Sequence, residues 1–117
     1  MTSPLGIGIL GLGTVGSAVA RAIDSRATRL DAMAGRPLRL IAVSKRDPGT
    51  IRDTATMDAL SNSKVLVTSD PFALLDNPFV HIVVEVIGGT SPARENAEVV
   101  IKTAQRQKFL SIFFSPR

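Results

Sequence analysis

At 117 residues, with 44% hydrophobic and 21% charged positions, the chain has the make-up of one globular domain, and it is too short for a cofactor domain joined to a substrate domain. The lack of cysteine excludes disulfides and thiolate metal sites, and a single histidine cannot build a zinc site by itself. The net charge of +4 comes from scattered basic residues with few aromatics for base stacking, and the apolar start is cut by glycines, so the expectation is a cytoplasmic protein with neither a nucleic-acid nor a membrane partner.

Short aliphatic runs alternate with segments of helical period. Leu5 to Leu10 reads as a first strand. Val15, Ala18, Val19, Ala22 and Ile23 fall at steps of three and four, which predicts a helix with one buried stripe running on toward Leu30 and Met33. Gly35 stops it, with Pro37 just beyond, and Leu38 to Val43 forms the second strand. Asp47 to Ser63 is polar and carries Pro48 and Gly49; it is expected to be mostly a surface connection, with a short helical turn around Met57 to Leu60. Lys64 to Thr68 predicts a third strand. Asp70 and Pro71 read as the N-cap and first position of a short helix bearing Phe72, Leu74 and Leu75, ended by Asn77 and Pro78. Val80 to Ile87 is an almost continuous β-branched run, as expected of a central strand covered on both faces. Gly88 and Gly89 close it, Ser91 and Pro92 open the next helix, and Ala93, Ala97, Val100, Ile101 and Ala104 mark that helix's buried side. The succession predicts an α/β fold: a Rossmann-like parallel sheet with helices on both faces, incomplete. The domain is expected over residues 1–106. Residues 107–117 read as an atypical apolar tail, because three of the five phenylalanines fall there.

Gly11, Gly13 and Gly16 form a GxGxxG directly after the first strand and at the start of the first helix. Gly11 permits the tight turn, Gly13 leaves room for the backbone to approach a pyrophosphate, and Gly16 lets the helix lie close to the strand. The helix start presents unpaired N–H groups and a positive dipole end, which suit a phosphate. The same glycines can also serve an ordinary strand-to-helix turn, but their place in a βαβ unit favours a dinucleotide. At the end of the second strand, Ser44, Lys45 and Arg46 stand where a carboxylate would accept ribose hydroxyls, so the expected cofactor is NADP in preference to NAD. The alternative is that Lys45 and Arg46 are solvated loop charges. Ile87, Gly88 and Gly89 would lie at the carboxyl edge of the sheet, where a flat nicotinamide ring can approach bare backbone. Glu85, inside an apolar strand, is expected to be an acceptor for backbone donors or a cation. His81 reads as an exposed or edge residue rather than a base, and Asp53 as one of several acids on polar faces or in loops.

Four segments together resemble the N-terminal domain of homoserine dehydrogenase: IGILGLGTVG at Ile7 to Gly16, AVSKRDP at Ala42 to Pro48, TSDPFALLDNP at Thr68 to Pro78, and VHIVVEVIGGTSPARE at Val80 to Glu95. The resemblance covers most of positions 5 to 104 and is weakest from Gly49 to Ser63. It implies NAD(P)-dependent reduction of aspartate 4-semialdehyde to homoserine, in threonine and methionine biosynthesis. It also implies that Gly13, Thr14 and Val15 bind the cofactor phosphates, Lys45 or Arg46 the adenosine end, and Ile87 with Gly88 the nicotinamide side. The family's later Thr-Ala-Asn-Lys motif, whose lysine belongs to the active site, has no counterpart between Arg106 and Arg117, so no catalytic residue is assigned. Homo-oligomers are implied too, although the domain that mediates them is missing from this sequence. The expectation is therefore a truncated or frameshifted cofactor domain, inactive alone. A genuine short protein, a stand-alone nucleotide-binding regulatory module, and the cofactor domain of another amino-acid dehydrogenase are the alternatives.

Overall fold

The computed structural model describes residues 3–51, 53–86, 99, 102–104, 106–108 and 110–113. The aliphatic runs become strands β1 (Leu5–Leu10), β2 (Leu38–Ser44), β3 (Leu66–Thr68), β4 (Ile82–Glu85) and β5 (Leu110–Phe113). Between them lie helices α1 (Thr14–Ser25), α2 (Ala27–Ala34), α3 (Thr54–Asn62) and α4 (Pro71–Leu75), with one 3-10 turn at Pro48–Thr50. Every strand pairing is parallel, and the spatial order is β3-β2-β1-β4-β5. This is the Rossmann-like sheet expected from the sequence, with five positions of the six-strand order filled. No helix among the described residues is long and apolar enough to cross a membrane.

Alternation along the strands sends side chains to two cores, one on each face of the sheet. Ile7, Ile9, Leu40, Val43 and Val86 meet Ala20 of α1 and Leu60 of α3 on one face. Leu10, Ala42, Val80 and Val83 meet Leu74 and Leu75 of α4, together with Ala104, on the other. Between β1 and β2 the register slips by one residue, so Ile7 pairs with Leu40 but Gly8 with Ala42. The inserted residue, Ile41, packs on the same face as Ala42, so Leu40 and Ala42 face opposite cores although they are two residues apart. The chain builds outward from β1 to β3 and then returns to the far side of β1 for β4. The carboxyl ends of β1 and β4 therefore flank the switch point, the place where such sheets take ligands.

Several expectations hold residue by residue. β1 has the predicted bounds, Gly35 caps α2 at φ 75, and Asp70 accepts from Phe72 N at 2.9 Å at the start of α4 with Pro71 in the first turn. Others are corrected. The first helix does not run through to Met33: it breaks at Arg26 into α1 and α2, and α2 buries no residue, leaving Met33 74% exposed. The break turns the chain back so that Asp31 Oδ1 can accept from Leu38 N at 3.0 Å and Pro37 O from Leu5 N at 2.9 Å. The supposed surface connection holds a nine-residue helix, α3, which packs against α1 through Thr56, Ala59 and Leu60. Its inward face is small and partly polar, so hydrophobic periodicity understates it. β3 begins only at Leu66, because Lys64 adopts a left-handed φ of 52 and closes the preceding turn. Leu110–Phe113, expected in a separate tail, pair with Ile82–Glu85, so the sheet extends past residue 106. Val99, Lys102 to Ala104, Arg106 and Gln107 are helical, as predicted for the segment before β5. Ile87, Gly88, Gly89, Ser91, Pro92, Ala93, Ala97, Val100 and Ile101 lie outside the described residues.

Candidate dinucleotide-binding site

Gly11, immediately after β1, has φ 98, a conformation costly for any residue with a Cβ. It turns the chain so that the amides of Gly11 and Leu12 both donate to Ser44 O, at 3.0 and 3.2 Å. Helix α1 then starts at Thr14 with Gly13 as its N-cap, and no side chain caps it. The first turn of any helix has amides without helical acceptors. Here they belong to Thr14, Val15 and Gly16, and Gly13, Thr14 and Val15 are exposed. A Cβ placed on Gly16 would sit 2.0 Å from Gly11 O and 3.2 Å from a Val86 methyl, which is why the helix can approach the strand only with glycine there. A Cβ on Gly13 would meet nothing within 4 Å. The three glycines thus differ in role as the sequence suggests: one turns, one packs, and one leaves open space above bare amides.

That space is a cleft of about 350 Å³ lined by Leu12, Gly13, Thr14, Ser17, Arg21, Lys45, Thr50, Ile51 and Asp53. Of the residues singled out in the sequence, Gly13, Thr14 and Lys45 line it. Gly11, Gly16 and Ser44 do not. Ser44 is only 5% exposed and serves through its carbonyl, as the anchor of the glycine turn. Lys45 is half-buried, and its Nζ donates to Leu12 O at 3.1 Å, which draws the cation toward the loop. Val15 and Arg46 are exposed and do not line the cleft.

Leu12, Ser17, Arg21, Thr50, Ile51 and Asp53 line the cleft without being marked as site residues by the sequence pattern. Part of the signal is there: Thr14, Ser17 and Arg21, spaced by three and four, form the polar stripe of α1. Arg21 Nη1 donates to Asp53 Oδ2 at 2.7 Å and to Thr56 Oγ1 at 3.0 Å, and Thr56 Oγ1 donates to Asp53 Oδ2 at 2.6 Å. The Thr56 hydroxyl and the Arg21 charge hold the Asp53 carboxyl below its ordinary value.

Outside the cleft, Glu85 is buried at 1% exposure, in register with Leu10 of β1 and Phe113 of β5. His81 sits at the opposite edge of the sheet, before β4. Gly6 N donates to its Nδ1 at 2.9 Å and its own N–H donates to Gly6 O at 2.8 Å. The accepting Nδ1 leaves the ring proton on Nε2. It is an edge residue, as expected, and the Gly6 backbone is its partner.

Comparison with known proteins agrees with this geometry. The family profile described as "Homoserine dehydrogenase, NAD binding domain" matches residues 11–105. The homoserine dehydrogenase of Methylobacillus glycogenes is 33% identical over 105 residues, covering 90% of this chain and 23% of that protein. That of Corynebacterium glutamicum is 34% identical over 103 residues, covering 88% and 22%. Among solved structures, homoserine dehydrogenase from S. aureus superposes with a TM-score of 0.74 at 27% identity, over 97% of this chain and 26% of that one. Myo-inositol dehydrogenase from Lactobacillus casei, solved in complex with NAD(H) and myo-inositol, has a TM-score of 0.63 at 19% identity, a likeness of fold alone. The chain spans about a quarter of the length of these homoserine dehydrogenases. By profile, sequence and fold, the chain belongs to the homoserine dehydrogenase family, within its NAD-binding domain.

Proposed function

We propose that this chain binds NADP(H) in preference to NAD(H), as the cofactor-holding part of an enzyme that interconverts aspartate 4-semialdehyde and homoserine. The observation that carries the reading is the uncapped start of α1, where Gly13, Thr14 and Val15 are exposed and a Cβ on Gly13 would meet nothing within 4 Å. The amides of Thr14, Val15 and Gly16 would receive the pyrophosphate. Lys45 in the cleft wall, with Arg46 exposed beside it, supports the phosphorylated cofactor, since a 2′-phosphate gains most from charge-assisted contacts. By resemblance, Ile87 and Gly88 would take the nicotinamide side. When bound, the dinucleotide supplies the hydride for carbonyl reduction. The chain's own described residues at the cleft hold and orient it. None is placed for acid–base work on a carbonyl: Asp53 is engaged by Arg21 and Thr56, and Lys45 by Leu12 O. The 117-residue chain is therefore expected to bind cofactor without turnover. Cytoplasmic threonine and methionine biosynthesis is the setting this reading implies.

Titration with NADPH and NADH, followed by an assay of semialdehyde reduction, tests each part. Saturable binding with NADPH the tighter ligand is expected, and no reduction. Tighter binding of NADH would refute the role given to Lys45 and Arg46, and turnover by this chain alone would refute the absence of a catalytic group.

A further inference from the structure

One cluster in the cleft wall is not required by the glycine turn. Arg21 lies about two turns into α1. It reaches Asp53, which precedes α3, and both are tied to the hydroxyl of Thr56. Thr56 is fully buried and so fixes where the two charged groups stand. Their own side chains are open to water, 39% exposed for Arg21 and 52% for Asp53. Asp53 is the only acid among the described residues lining the cleft, and Arg21 and Lys45 are the cations.

A dinucleotide cleft faces one chemical choice at its adenosine end. A carboxylate accepts the ribose hydroxyls of the unphosphorylated cofactor, whereas a cation accepts a 2′-phosphate and a carboxylate repels it. Both groups are present here, and each neutralises the other. We infer that the Arg21–Asp53 pair sets cofactor selectivity: Asp53 opposes a 2′-phosphate and favours free ribose hydroxyls, and Arg21 is the cation that a 2′-phosphate draws away from it. This rests on the cleft being the dinucleotide site and adds a determinant away from the end of β2. An ion pair so open to water is weak, so a phosphate group can compete for the guanidinium. The guanidinium also presents several donors in one plane, so it can turn from carboxylate to phosphate without leaving the cleft wall. Lys45 is the second cation of the cleft, but its bond is to a backbone carbonyl, Leu12 O, so no opposing carboxylate makes it a switch.

The test is calorimetric titration of the 117-residue chain and two variants with NADP+ and with NAD+. Asp53→Asn removes the opposing charge and should tighten NADP+ about tenfold while weakening NAD+ several-fold. Arg21→Gln should do the reverse for the phosphorylated ligand, weakening NADP+ about tenfold and leaving NAD+ within about twofold. Both side chains are exposed, so neither change empties the core. If both variants bind but keep the NADP+ to NAD+ affinity ratio of the unaltered chain within about twofold, the selectivity role is overturned while the cofactor site stands. If the unaltered, folded chain binds neither nucleotide, the site itself is wrong and the selectivity role falls with it.

Discussion

The two edges of the sheet treat their backbone amides in opposite ways. At the amino edge, donors are closed off: Gly6 N bonds His81 Nδ1, His81 N bonds Gly6 O, Leu38 N bonds Asp31 Oδ1 and Phe79 N bonds Asn77 Oδ1. Lys108 Nζ adds a bond to Asn77 O at 2.9 Å, and partial burial pulls its pKa below the ordinary lysine value. At the carboxyl edge, the glycine turn is secured from below by Ser44 O, while the start of α1 above it is left uncapped and exposed. At the amino edge, these described polar groups find their partners within the chain. The start of α1, by contrast, has no side-chain cap, and Gly13, Thr14 and Val15 there are exposed, which is the arrangement the proposed phosphate site requires.

The largest break in this contrast should come from Gly16→Ala. Its Cβ would lie 2.0 Å from Gly11 O, so turn and helix must separate. The expected cost is about 1–3 kcal/mol of stability from overpacking, with loss of measurable cofactor binding. Chemical denaturation and titration of the same sample check both. Gly13→Val should separate the two effects, because nothing lies within 4 Å of a Cβ at that position. Stability should stay within about 0.5 kcal/mol while cofactor affinity falls about 10- to 100-fold, the loss of one or two amide–phosphate bonds.

The difference between these two glycines is legible from the motif itself, because spacing and position after a strand define which glycine turns, which packs and which stays bare. Strands β1 and β2 are equally readable, since buried parallel strands announce themselves as aliphatic runs, whereas β4 fills only Ile82–Glu85 of the run expected from Val80 to Ile87. What the sequence conceals is the wall of the cleft. Helix α3 has only Ala59 and Leu60 as its buried apolar residues, so the segment bearing Asp53 passes for a loop and the acid for a solvated charge. The pairing of Asp53 with Arg21 spans 32 residues and depends on how α3 packs against α1, which no local pattern encodes. The role of Ser44 is hidden for another reason: its carbonyl, rather than its hydroxyl, anchors the turn, and residue identity says nothing about which carbonyl a loop will use. The phenylalanine-rich end misleads in the opposite sense. Its apolar run reads as an anomaly, yet Leu110–Phe113 take the edge position of the sheet beside β4.

At the amino edge the expected effect reverses. His81→Leu leaves the Gly6 amide without its acceptor and should cost about 1–3 kcal/mol in denaturant unfolding, with cofactor affinity unchanged. A loss of affinity comparable to that of Gly13→Val would erase the distinction between the edges.

The smallest effect concerns acid. Because the folded Asp53 carboxyl titrates below its ordinary value, its pairing with Thr56 and Arg21 favours the folded state above the unfolded pKa. That contribution is lost as pH falls through the lowered folded value. Asp53→Asn should flatten the stability profile across that acid window and leave it unchanged near neutrality apart from a constant offset, as measured by thermal melts over a pH series.

The most direct test of the central claim is a titration of the 15N-labelled chain with NADPH, followed amide by amide. Saturable shifts should appear at Gly13, Thr14, Val15 and Gly16, while Gly6 and His81 stay where they are. Silence at the start of α1 in a folded sample, or movement confined to the amino edge, would contradict the assignment of this cleft to the dinucleotide.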